Sequence, residues 1–202
     1  AKISNSGGGL MKKLNRLYLG TNTKMYKTIA ETTSFLTQLR RLTEDLADSP
    51  LTLFVIPSFT SLESANRLHP DPTSGWEQNM CWEDQGQFTG EISPVMLKEV
   101  GVSVVEIGHS ERRHVFREND LTRKKDSKGS QSGFTPLLCI GETLTQREYG
   151  LSGETLSTQL KVGLHSVTAE QAEHLWIAYE PVWAIGVNGI PADSDYVAER
   201  HA

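Results

Sequence analysis

Cysteine is almost missing from this chain: its 202 residues hold two, Cys81 and Cys139. Neither has a CxxC neighbour and no N-x-[ST] sequon occurs, so a disulfide framework is excluded and the composition points to a reducing compartment. Positive charge is also short, with 20 Lys and Arg against 25 Asp and Glu and a net charge of -5. That balance offers a basic patch neither to nucleic acid nor to an anionic membrane surface, and no partner of either kind is expected. No apolar run approaches the ~18 residues of a membrane span, and the mean hydropathy is -0.38. Residues 1–16 carry lysines without an apolar stretch and do not read as a secretory signal. The strings G-x-G-x-x-G, G-x-x-x-x-G-K-[ST] and G-x-S-x-G are absent, so no nucleotide loop or hydrolase elbow is expected. The six histidines lack H-x-x-x-H spacing, and no metal site is expected either.

What the chain does have is alternation. Short apolar runs at Leu17–Gly20, Leu51–Ile56, Val102–Ile107, Phe134–Ile140 and Leu175–Tyr179 read as strands. Helical spacing follows the first from Thr28 to Leu46, Ser93-Pro94 starts a short helix before the third, and Ser152 to Val167 reads as a helix before the last. Strands that are apolar throughout and separated by helices indicate a parallel α/β sheet covered on its outside. Two regions break the rhythm. Between Leu68 and Asn79 a strand is expected, but Pro70, Pro72 and Thr73-Ser74-Gly75 leave only Trp76 to Met80 for it. Lys124 to Gly133, where a covering helix is due, has no apolar side chain and reads as a surface loop or a damaged helix, with Lys124-Lys125 a solvated pair. Residues 1–15, with Gly7-Gly8-Gly9, read as a flexible extension, and 16–202 as one domain.

In such folds functional side chains gather just beyond the C-terminal strand ends. Asn22 and Lys24 follow the first strand, and Gly108-His109-Ser110-Glu111-Arg112-Arg113 the Val102 strand. Gly141-Glu142-Thr143 follows the Phe134 strand, and Glu180-Pro181-Val182-Trp183-Ala184-Ile185-Gly186 the Leu175 strand. His109, where a charged segment begins a helix, would be held neutral by backbone N–H groups and the positive helix end; the bland alternative is a surface histidine in a turn. Glu180, next to a segment poor in charge, suits a partly desolvated general base, and alternatively a cap neighbour or ion-pair partner. Lys24 suits a phosphate, or simply solvent. Cys139 reads as a small buried hydrophobe.

Five strings, in order from about Arg16 onward, carry a resemblance: Gly20-Thr21-Asn22-Thr23-Lys24-Met25, Phe88 to Pro94, Gly108 to Arg113, Pro136 to Thr143, and Ala178 to Gly186. Together they resemble triosephosphate isomerases. The resemblance implies a (β/α)8 barrel and a cofactor-free aldose–ketose isomerisation of a small sugar phosphate through an enediolate. Triosephosphate isomerase is the standard worked example of a glutamate base paired with a neutral histidine. Carried over, Glu180 is the base and His109 the electrophile and proton shuttle. Lys24 and Asn22 anchor the substrate and stabilise its charge, with Ser110 and Glu111 in support. The segment after Glu180 is a lid, with Gly186 near the phosphate, and Gln78 to Glu91, carrying Thr89, is an arm reaching into a second copy. A cytoplasmic homodimer is implied.

The sequence also departs from that pattern. Thr23 stands where the family has an aromatic residue, Tyr26 where it has asparagine, and the lid continues Gly186-Val187-Asn188-Gly189-Ile190-Pro191 instead of through a G-T-G-K-type hinge. These features resemble the erythrulose-phosphate isomerase branch, which implies the same chemistry on a tetrulose phosphate. The chain accounts for about six βα units, with strands 7 and 8 not among them, so the expectation is an incomplete barrel. Three readings follow: a triose-phosphate isomerase, a tetrulose-phosphate isomerase, or an inactive fragment that only associates with full-length subunits. The expectation carried forward is isomerisation as the family function, with this chain weak or dead in turnover.

Overall fold

A computed structural model describes residues 17–46, 48–68, 75–118 and 122–201. The expected extension at 1–15, and Pro70, Pro72 and Thr73-Ser74, lie outside the described residues. The class is α/β, as expected: parallel strands alternate with helices. The described chain forms two compact units, one from 17–106 and 131–135, the other from 107–130 and 136–201.

In the first unit β1 (Leu17–Asn22) pairs in parallel with β2 (Leu51–Ile56), in a register running from Leu17↔Leu51 to Asn22↔Ile56. Gly20 belongs there because a Cβ would stand 2.3 Å from the Phe54 carbonyl oxygen. Helix α1 (Ile29–Leu42) starts at a capping box: the Thr28 hydroxyl accepts from the Glu31 N–H while the Glu31 carboxylate accepts from the Thr28 N–H. Leu36 of α1, Val55 of β2 and Ala65 of α2 (Phe59–Leu68) close one core, with Phe35 and Leu39 against it. The third strand, β3, is shorter than expected, Trp76–Glu77, and pairs in parallel with β4 (Val104–Ile107) at Trp76↔Val104 and Glu77↔Val105. Trp76 is buried and stacks on Phe54 with ring centroids 3.7 Å apart. Helix α3 (Pro94–Glu99) starts as the sequence dictates, with Ser93 as N-cap and Pro94 in the first turn.

In the second unit β5 (Thr135–Ile140) pairs in parallel with β6 (Trp176–Tyr179), from Leu137↔Trp176 to Ile140↔Tyr179. That register sets the residues after Ile140 and Tyr179 level with each other. Leu138, Ile140, Leu156 and Leu175 form the core, with Leu160 and Leu164 of α7 (Ser152–Gly163) packed on it. Short helices α4 (Ser110–His114), α6 (Leu144–Glu148) and α8 (Ala169–Ala172) lie between the strands, and α9 (Ser194–His201) follows β6.

The stretch expected to be a loop or damaged helix is helical: α5 runs Thr122–Gln131. Lys125, expected in solvent, is 2% exposed and donates to Glu118 at 2.9 Å; Arg112 holds the same carboxylate. Hydropathy registers no buried face here because that face is made of a lysine stem, an ion pair and small polar groups. Asp126 is fully buried beside it, and neither carboxylate oxygen has a hydrogen-bond partner among the described residues. Burial pushes that carboxyl well above its ordinary range. Cys139 and Cys81 are buried free thiols, as expected of Cys139.

Candidate active site

The second unit gathers His109, Ser110, Glu111 and Glu180. Beyond β4 the backbone turns at Gly108, whose φ of +71° favours glycine. Arg113 fixes this turn from behind: its Nε donates to the Gly108 carbonyl at 2.6 Å and its Nη2 to the Cys139 carbonyl at 3.1 Å. His109 is 5% exposed, so the surface-turn alternative fails. It is the N-cap of α4, and its Nδ1 accepts the Glu111 N–H at 3.2 Å. A ring nitrogen that accepts carries no proton, so the neutral imidazole has its N–H at Nε2. Nε2 lies 3.2 Å from Glu180 Oε2.

Glu180 follows β6 directly, and its N–H donates to the Ile140 carbonyl at 2.8 Å. Its side chain is 41% exposed and so reachable by a ligand. Gly141 lets the Glu180 backbone approach, since a Cβ at 141 would sit 2.0 Å from the Glu180 carbonyl oxygen. Gln159 of α7 clamps Gly141 on both sides, accepting its N–H at 2.8 Å and donating to its C=O at 3.0 Å. Ser110, Gly141 and Glu180 line one crevice together with Gly108 and Arg113.

Behind Glu180 the carboxylate of Glu142, fully buried, accepts from Tyr179, from Trp183 Nε1 at 2.9 Å and from Tyr196 at 2.7 Å. Burial, with the neighbouring Glu142 charge, pushes the Tyr179 hydroxyl upward. Trp183 belongs to a 3-10 turn at Val182–Ala184, so this carboxylate ties the start of the expected lid to β6 and α9. Arg147 lies over the rings of both Trp183 and Tyr196. Gly186 follows with φ +84°, and Val187 is fully exposed.

The first unit gathers Asn22, Lys24 and Gln78. Asn22 ends β1; its Oδ1 accepts the Lys24 N–H at 2.6 Å, and its Nδ2 donates to Glu106 at 2.6 Å. Lys24 has φ +49°, left-handed for a residue with a Cβ. Gln78 Nε2 donates to the Lys24 carbonyl at 3.1 Å and to the Ile56 carbonyl at 3.3 Å. Thr89 sits in an exposed turn. Glu77 is 3% exposed, with Oε2 unpartnered, and burial pushes its carboxyl up to about 8 against backbone hydrogen bonds from Gln78 and Asn79; the Glu106 charge adds to the rise. Glu77, Glu106, Glu142 and Gln159 were given no role by the sequence. The available signal was an acid inside an apolar strand at 106.

Parallel strands alternating with helices make this an α/β protein, and a carboxylate lies against an imidazole where its strands end. The comparisons with known proteins narrow it. The family model described as triosephosphate isomerase matches residues 17–202, and the chain belongs to that family of sugar-phosphate isomerases, whose fold is the TIM barrel. It is 47% identical over 190 residues to an L-erythrulose-1-phosphate isomerase of Rhizobium etli, covering 92% of this chain and 70% of the relative. A protein of the same name from Rhizobium meliloti is 45% identical, over 92% and 73%. A triosephosphate isomerase of Dictyoglomus turgidum is 44% identical, over 86% and 70%.

Proposed function

We propose that the reaction this site supports is the interconversion of the ketose and aldose forms of a small sugar phosphate through an enediolate; the expectation of weak turnover by this chain is decided by the assays below. The observation that carries the reading is the 3.2 Å approach of His109 Nε2 to Glu180, with Nδ1 occupied by a backbone N–H. A substrate that displaces this contact and seats against both side chains receives the Nε2–H on its carbonyl oxygen and yields the proton on the adjacent carbon to Glu180. The enediolate then takes that proton back on the neighbouring carbon, while His109 moves a proton between the two oxygens. Lys24 and Asn22 anchor the substrate and stabilise its charge, with Glu111 and Ser110 in support. The segment through Gly186 closes over the phosphate and excludes water. The arm from Gln78, with Thr89, meets a second copy in a homodimer.

A tetrulose phosphate is the favoured substrate. The names of the Rhizobium relatives support it, as does the lid sequence Gly186-Val187-Asn188-Gly189. Glyceraldehyde 3-phosphate and dihydroxyacetone phosphate are the second reading, supported by the Dictyoglomus relative. Matched turnover assays on both substrate pairs decide between them. Glu180→Gln should abolish most of whatever turnover is found; unchanged turnover would remove Glu180 from the mechanism.

A further inference from the structure

Glu106 is the third residue of β4, in Val-Val-Glu-Ile, and is 7% exposed. An acid buried in an apolar strand needs a polar reason to be there. Its Oε2 accepts Asn22 Nδ2 at 2.6 Å, across 84 residues of sequence. The other end of the same amide accepts the Lys24 N–H. A carboxylate only accepts, so Glu106 decides which end of the Asn22 amide faces which neighbour. With Nδ2 turned to Glu106, Oδ1 must face Lys24; the opposite orientation would set carbonyl against carboxylate and N–H against N–H. Lys24 needs this support because its backbone is left-handed, a conformation that persists only where its surroundings over-determine it. Its carbonyl is held separately, by Gln78.

We infer that Glu106 is a positioning residue: through the Asn22 amide it holds Lys24 in the left-handed turn that presents the ammonium group to the substrate. The inference rests on Asn22 and Lys24 being the substrate anchors of the proposed function.

The test compares Glu106→Val, Glu106→Thr and Glu106→Gln in the 202-residue chain. Valine suits a strand that already contains Val104 and Val105. Threonine is a second variant too short to reach Asn22, should the valine variant fold poorly. Glutamine keeps a carbonyl acceptor. Amide hydrogen exchange at Lys24, followed by NMR, reads the coupling without any turnover. KM and kcat on the triose and tetrulose phosphates read its use. Loss of the charge-assisted hydrogen bond should speed Lys24 exchange about ten- to a hundredfold in Glu106→Val and Glu106→Thr, and KM should rise by a similar factor with a smaller change in kcat. Glu106→Gln should move both back toward the parent chain. Unaltered Lys24 exchange in a folded Val or Thr variant overturns the inference, as does freed exchange with unaltered KM. Absence of turnover in the parent chain would instead count against the proposed function, and the exchange comparison would still decide the coupling.

Discussion

Replacing Glu77 by glutamine should reshape how the stability of the protein depends on pH. The Glu77 carboxyl is 3% exposed, Oε2 has no hydrogen-bond partner among the described residues, and burial pushes its pKa up to about 8. In the unfolded chain it returns to the ordinary value of 4.5. Between those values the folded state keeps a proton that the unfolded state has released, so stability falls as pH rises, by about 1.4 kcal/mol per pH unit. The stabilisation is complete below pH 4.5 and is lost on passing through about 8. Over that span the loss approaches ~5 kcal/mol as an upper limit, a large part of the ~5–15 kcal/mol that holds a domain together. Glutamine carries no titrating proton and removes this slope. Urea unfolding followed by tryptophan fluorescence, from about pH 5 to about pH 9, should therefore show the parent chain losing stability relative to Glu77→Gln, with the variant the more stable at the alkaline end. The difference between the two proteins isolates Glu77 from Asp126, which contributes to both curves. Parallel curves would refute the reasoning, because they would mean Glu77 is already ionised in the fold.

Three further outcomes follow from the geometry. Gly141→Ala puts a Cβ 2.0 Å from the Glu180 carbonyl oxygen, so the Glu180 backbone must move and kcat should fall about a hundredfold; steady-state kinetics with a KM comparison checks it. Asp126→Val removes a buried carboxyl with no hydrogen-bond partner among the described residues and should raise stability by about 1–3 kcal/mol in denaturant titration. Glu142→Ala leaves the Tyr179, Trp183 and Tyr196 donors facing no acceptor; stability should drop by about 3 kcal/mol or more, with a change in tryptophan emission, and a loss below about 1 kcal/mol would count against the network.

Much of the fold was legible where hydropathy and punctuation agree. β2 is apolar except for Thr52 and stops at Pro57, and its observed bounds are the expected ones. The caps Thr28 and Ser93 start their helices through local hydrogen bonds that lie within a few residues of sequence. Helix α5 was misread because a buried ion pair between Lys125 and Glu118 leaves the same trace in sequence as a solvated charge run. At the candidate site, His109 and Glu180, which the fold brings together, stood out as candidates because polar residues directly after apolar strands do. Glu106 did not, because its meaning lies in an amide 84 positions away. The Gln159 clamp was hidden for a similar reason: a glutamine on a helix announces nothing about the glycine it holds 18 residues earlier.

The Gln159 clamp bears on how this chain can be re-engineered. A primary amide is the one side-chain group that copies a peptide unit, giving and taking a hydrogen bond at once, and Gln159 uses it to act as a neighbouring strand would for Gly141. Glutamate could accept but not give, lysine could give but not accept, and asparagine is a methylene shorter. A loop graft that brings a different sequence after β5 must therefore carry its own helix residue with it. In a library randomised jointly at 141 and 159, the glycine–glutamine pair should survive as a unit rather than as two independent choices.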